Sequence, residues 1–166
     1  MTLATDSHAS TPLTKHELVA WRGMLEVHAR VTQQLDAQMR AEHGLSVSGY
    51  EVLMFLADAP GHRMRMSDIA DRVLLSRSGC TRLVDRLVAQ GYVTRCADDS
   101  DGRGLYATLT DAGLEKLQAA RRTHHAGVRR FFLDHLTTTD QLALGDIWTR
   151  FRSRSAGDQS APIARP

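Results

Sequence analysis

The sequence predicts a mainly α-helical fold carrying one small β-hairpin. Three observations lead there. From Thr14 to about Glu42, apolar residues recur at three- and four-residue spacing. Two short helical segments then follow in succession, "MSDIADRVLL" and "SRSGCTRLVDRLVAQG". Two β-prone runs, "YVTRC" and "GLYATLT", flank an acidic loop that carries glycines.

With 166 residues, the chain is long enough for one domain with a real core and too short to expect two. Apolar residues make up 42% and charged ones 24%, which excludes wholesale disorder. A net charge of +2 announces no nucleic-acid partner, so the distribution of charge must carry that case. Nearly all the basic residues are arginine, with lysine only at Lys15 and Lys116. Arginine's planar fork suits phosphate and guanine edges. Cys80 and Cys96 lie outside any metal-ligand spacing, which fits a reducing cytosol rather than a disulfide or zinc site. No membrane span and no signal peptide is evident, so a soluble, cytoplasmic protein is expected, with no membrane partner.

The elements follow in order. Residues 1–13 and 154–166 are small, polar and proline-bearing, and read as disordered tails around a single domain at 14–153. In the first helix, Leu18, Trp21, Leu25, His28, Val31, Leu35 and Met39 share a face. Thr14 and Glu17 form a capping box, and Gly44 closes the helix. Ser46 or Ser48 opens a second helix whose Val52, Leu53, Phe55 and Leu56 are core candidates, ended by "DAPGHR". Ser67 is the expected N-cap of the first short helix, with Ile69, Ala70, Val73 and Leu74 inward. Ser76 or Ser78 caps the next, with Cys80, Leu83, Val84, Leu87 and Val88 inward and Gly91 as its stop. After the hairpin, Thr110 with Asp111 caps a helix bearing Leu114, Leu117, Val128, Phe131 and Phe132. "TTTD" caps the last, which carries Leu142, Leu144, Ile147, Trp148 and Phe151. A lone hairpin is marginal in water, so this one must lean on the helices beside it. Two short helices followed by a hairpin describe a winged helix-turn-helix.

On that fold the second short helix turns Arg77, Ser78, Thr81, Arg82 and Arg86 outward. Hydroxyls and arginines at a helix N-terminus suit the major groove of double-stranded DNA. The same strip also fits a solvated helix face with capping serines. We expect Arg77, Ser78, Thr81 and Arg82 to grip or read the groove and Ser76 to meet phosphate. Arg86 is expected to anchor structure through Asp85 or a wing acid more than to touch bases. The loop would project Arg103 into the neighbouring minor groove, with Asp101 restraining its guanidinium and Gly102 and Gly104 permitting the turn.

These residues carry a resemblance. "SRSGCTRLVDRLVAQGYVTR" followed by "DGRGLYATLTDAG" resembles the MarR family of bacterial transcriptional regulators. That family's wing pattern is Asp-x-Arg, five residues, Leu-Thr, two residues, Gly. Asp101, Arg103, Leu109, Thr110 and Gly113 match it in type and spacing. The resemblance implies a homodimer in which the first and last helices (14–44 and 110–153) interlock and two winged units (48–109) address a pseudo-palindromic operator. A twofold dimer would set the recognition helices about 34 Å apart. It also implies release of DNA, most simply by a repressor, when a small aromatic acid or phenolic ligand binds. Trp21, Arg22, Met24 and His28 of the first helix, with Tyr50 and Met54 of the second, are the candidate lining, because an arginine and a histidine beside flat apolar groups suit a flat anion. The alternative places Trp21 and Met24 in a dimer core and Arg22 and His28 on its rim.

Other functions have less to stand on. Cys80 reads as inert packing, and Cys96 has only Arg95 near it, which leaves a cysteine-based redox-responsive regulator as a weaker alternative. His124 and His125 point about 100° apart on a helix and make a poor metal pair, so neither metal nor cofactor is expected. No nucleophile elbow, phosphate loop or dinucleotide fingerprint suggests an enzyme or supplies catalytic residues. A winged helix that binds protein instead of DNA is the more serious rival, yet such a module would be expected to lose Arg77, Arg82 or Arg103.

Overall fold

The computed structural model describes residues 11–97 and 105–158, with side chains through residue 153. The order is α1 (Lys15–His43), α2 (Val47–Asp58), β1 (Arg63–Arg65), α3 (Met66–Arg72), α4 (Arg77–Ala89), β2 (Val93–Ala97), β3 (Leu105–Leu109), α5 (Asp111–Phe131) and α6 (Thr138–Asp158). The expected class is therefore found, a helical protein with a small antiparallel sheet.

The helix ends obey the expected chemistry. Thr14 Oγ1 accepts from the Glu17 amide at 3.3 Å, and Glu17 Oε2 accepts from the Thr14 amide at 2.7 Å. Gly44 closes α1 at φ +63°, where a β-carbon would be strained. Ser46, not Ser48, caps α2, and Ser76, not Ser78, caps α4. Thr137 and Asp140 exchange bonds of 2.9 and 3.2 Å at the start of α6. Ser67 does not cap α3. That position is Arg65, without a side-chain cap, and Ser67 donates to Asp68 instead.

The core lies under the winged unit. α2 runs through its centre with Val52, Leu53 and Leu56 fully buried, against Ile69 of α3, Val84 and Leu87 of α4, Val93 and Ala107 of the sheet, and Leu117 of α5. Each of the larger of these side chains contributes about 1.5–3 kcal/mol, so α4 has one strongly preferred rotation about its axis. α5 crosses α1 closely because Gly127 has no side chain. A β-carbon there would come within 2.6 Å of Leu35 Cδ2. Beside the crossing, the Thr123 hydroxyl donates to Glu42 at 2.9 Å, which leaves it to accept from His43 at 2.8 Å.

Four further expectations differ from the structure. The hairpin is a three-stranded sheet in the order β1-β3-β2, with Met64 opposite Ala107 and Arg95 opposite Ala107 on the other side. Three residues carry too little periodicity to announce β1. Leu74 is 90% exposed rather than buried, because the turn after α3 puts it at φ +53° and swings its side chain outward. Val88 is half-exposed, since α4 ends beside it. The last helix runs to Asp158, five residues past the expected end of the domain at 153.

The first and last helices leave much of their apolar surface uncovered in a single chain. On α1 only Leu35 and Met39 are buried, whereas Trp21, Met24, Leu25 and Val27 are exposed; so are Leu142, Ile147, Trp148 and Phe151 on α6. Between the two runs an apolar groove of about 890 Å³, walled by Met24, Val31, Phe132, Leu144 and Trp148. Among the described residues, no helix is long and apolar enough to cross a membrane.

Candidate nucleic-acid interface

α3 and α4 are joined by a turn closed by the Val73 amide to Ile69 O at 3.0 Å and the Leu75 amide to Ala70 O at 3.1 Å. α4 begins at Ser76, whose Oγ accepts from the Gly79 amide at 3.1 Å and lies 3.3 Å from Ser78 Oγ. With Cys80, Leu83, Val84 and Leu87 fixed inward, Arg77, Ser78, Thr81, Arg82 and Arg86 are all exposed, as expected for an outward-reading face. The Thr81 hydroxyl donates to Arg77 O at 3.0 Å. Its proton is spent, which leaves a methyl group and lone pairs for a partner.

Asp85 does not hold Arg86. Its carboxylate meets Arg95 of β2 at 2.7 Å, and the same guanidinium donates to Thr81 O at 3.1 Å. The sheet's hydrogen-bonding register put this anchor within reach, and sequence spacing alone could not separate Arg95 from its neighbour on α4. Arg86 instead borders a cleft with Arg40, Ser46, Ser48 and Arg82.

The wing is seated from behind by the Leu-Thr and Gly positions. Leu109 is buried in the core. Thr110 Oγ1 donates to Gly91 O at 2.7 Å and accepts from the Gly113 amide at 3.0 Å. A β-carbon on Gly113 would meet Tyr92 O at 2.1 Å, so the spacing locks α5 onto the base of the sheet. On the outer face, the Arg63 guanidinium stacks 4.0 Å above the Tyr106 ring and Arg65 Nε donates to the Tyr106 hydroxyl at 2.7 Å. Neither arginine stood out in sequence, because β1 itself did not. Asp101 and Arg103 of the wing tip lie outside the described residues.

The six effector candidates do not gather in one place. Met24 and His28 wall the groove between α1 and α6, where Trp21 and Arg22 do not take part. Tyr50 is buried and stacks on His124 at 4.4 Å between ring centres, and Met54 packs against the core. Burial, and after it the neighbouring His125, holds the His124 imidazole below its usual pKa. Cys80 is buried and burial pushes its thiol up, against a smaller opposing pull from Arg95. Cys96 is exposed beside Thr108.

A profile described as the MarR family matches residues 43–104, which span α2, the helix-turn-helix and the first part of the wing. AbsC, a MarR family transcriptional regulator from Streptomyces coelicolor, superimposes with a TM-score of 0.78 at 36% identity, covering 89% of this chain and 99% of that one. The chain belongs to the MarR family of transcriptional regulators. A second solved relative, Sco3205 from the same organism in complex with DNA, gives 0.78 at 33% identity over 91% of this MarR-family chain and 95% of its own. The transcriptional repressor MprA of Escherichia coli is 24% identical over 138 residues, which are 83% of this chain and 77% of that protein. These relatives are regulators rather than enzymes, and the winged-helix fold is common to the solved neighbours.

Proposed function

We propose that the protein is a sequence-specific DNA-binding repressor that acts as a homodimer on a pseudo-palindromic operator. The observation that carries this reading is the outward face of α4. Its cations and hydroxyls stand clear of the core, and the helix is braced to the wing through Arg95. Arg77 and Arg82 can fork onto guanine edges or phosphate, and Ser76 and Ser78 can meet phosphate. Thr81 offers its methyl to thymine or its lone pairs to a cytosine amine. Arg103 would be the minor-groove probe, with Asp101 to restrain it, as their place in the wing pattern implies. A solved relative at 33% identity carries DNA, which supports the reading. So does the name of a curated relative as a repressor.

The homodimer rests on the apolar groove between α1 and α6. A second copy of this chain would cover surface that no single chain can. Release by a small aromatic acid or phenol rests on Met24 and His28 at the groove wall. Such a ligand must favour a dimer with wrongly spaced recognition helices, since one indifferent to spacing shifts nothing.

The test is binding to duplex DNA flanking the protein's own gene, across a salt series and with or without aromatic acids. Arg82→Ala or Arg103→Ala should each cost about 1–3 kcal/mol of operator affinity. A flat salt response would favour a protein partner for the winged helix. A stable monomer in sedimentation would end the dimer reading. Unchanged binding in aromatic acids would end the effector reading.

A further inference from the structure

The cleft between the α1–α2 corner and the back edge of the recognition helix carries more charge than its local structure uses. Its volume is about 300 Å³, and Arg40 of α1, Ser46 and Ser48 at the start of α2, and Arg82 and Arg86 of α4 border it. Three guanidinium groups thus meet one carboxylate, Asp36. Both oxygens of that carboxylate are engaged: Oδ2 with Arg40 Nε at 2.5 Å and Oδ1 with the Val47 amide at 3.0 Å. Arg82 and Arg86 are four residues apart on one helix face and repel each other. Among the described residues, neither has an acidic partner.

We infer that this cleft grips a DNA backbone phosphate, with Arg40 and Arg86 as its two arms and Ser48 as a hydroxyl donor. The inference rests on the DNA-binding reading above. It adds contacts from α1 and α2, elements outside the helix-turn-helix. The occupant is a backbone phosphate because the cleft opens to solvent beside the face of α4 that carries Arg82. A strand edging the groove that α4 enters passes this corner. Paired guanidinium forks match non-bridging phosphate oxygens, and such contacts set register without reading sequence. Asp36 acts as a positioning residue. It orients Arg40 and accepts from the first amide of α2, and it competes with the phosphate for the same guanidinium.

The experiment measures binding of the full chain to a mixed-sequence duplex of about 30 base pairs across a salt series, with thermal melting as a folding control. Neutralising one phosphate contributes about 0.9 to the slope of log K against log salt. Arg40→Gln and Arg86→Ala should each lower the wild-type slope by about that amount per subunit, equally on any sequence. Because the two arms share a phosphate, the double variant should lose little more than either single one. Asp36→Asn keeps an oxygen for the Val47 amide but frees Arg40, and should tighten binding several-fold. Wild-type slopes in both arginine variants would overturn the cleft and leave the recognition-helix reading standing. So would a loss confined to one arm, or weaker binding by a normally melting Asp36→Asn. A wild-type protein whose binding ignores salt would remove the DNA reading itself. Wild-type DNA slopes in Arg40→Gln and Arg86→Ala, together with a thermal stabilisation by inorganic phosphate that both variants lose, would assign the cleft to a small anion instead.

Discussion

Arg95 and Asp85 join the wing to the recognition helix, with Nη1 of one lying 2.7 Å from Oδ1 of the other while Nη2 donates to Thr81 O at 3.1 Å. The arginine side chain is three-quarters buried and the aspartate about half exposed, so the two ends of this brace differ in value. Arg95→Ala removes a charged donor from a backbone carbonyl and should cost about 1.5–3 kcal/mol. Asp85→Ala breaks only a partly solvated pair and should cost at most about 1 kcal/mol. Urea denaturation of the two variants checks the asymmetry, and equal losses would contradict it.

Gly113 faces backbone, which cannot move aside as a side chain can. A methyl group there would sit 2.1 Å from Tyr92 O and 2.8 Å from Leu109 Cδ1. Gly113→Ala should destabilise by about 3 kcal/mol or more, beyond the usual overpacking range. It should do so without touching any outward residue of α4. Equilibrium unfolding with an unchanged m-value would show this as a native-state effect.

Leu74 pairs a positive φ with 90% exposure, so its side chain gains little from burial while its backbone is strained. The left-handed conformation costs a non-glycine residue about 1–2 kcal/mol. Glycine gives some of that back in unfolded-state entropy. Leu74→Gly should therefore stabilise the protein by up to about 1 kcal/mol, read as a rise in melting temperature. A fall would mean the exposed side chain has a partner in the assembled protein.

The stack of His124 on Tyr50 predicts a pH response. Burial depresses this imidazole's pKa below its ordinary value of about 6.5, so between the two values the unfolded chain holds more protons. Stability should rise with pH through that window, be complete above about 6.5 and be lost progressively below it. Glu17, Glu42 and Asp140, whose pKa values are lowered by hydrogen bonds from Thr14, from Gln38 and from Thr137 respectively, act at more acidic pH. His124→Phe keeps a ring against Tyr50 and should flatten the pH dependence of the melting temperature just below about pH 6.5; an unaltered slope would place the titration elsewhere.

Long helices and their caps were legible in sequence because they are local. Thr14 and Glu17, Ser76, Thr110 and Gly44 each act within four residues of themselves. The outward set on α4 was legible for a related reason, since inward Leu83, Val84 and Leu87 leave only one way to turn the helix. What escaped depended on pairing between distant segments. β1 becomes a strand only through β3, Asp85 finds Arg95 only once β2 folds back, and Arg40 and Arg86 come to border one cleft only in the folded chain. Leu74 escaped because its apolar character matched the pattern of α3 while the turn's dihedral overrode it.

The edge strand before the helix-turn-helix and the strand after it are both hydrogen-bonded to β3. α3 and α4 are therefore bracketed at either end by a single sheet, like a page clipped at both margins. A torque delivered through α1 or α5 should turn the recognition helix and its sheet as one block, so that the cations on that block change bearing together.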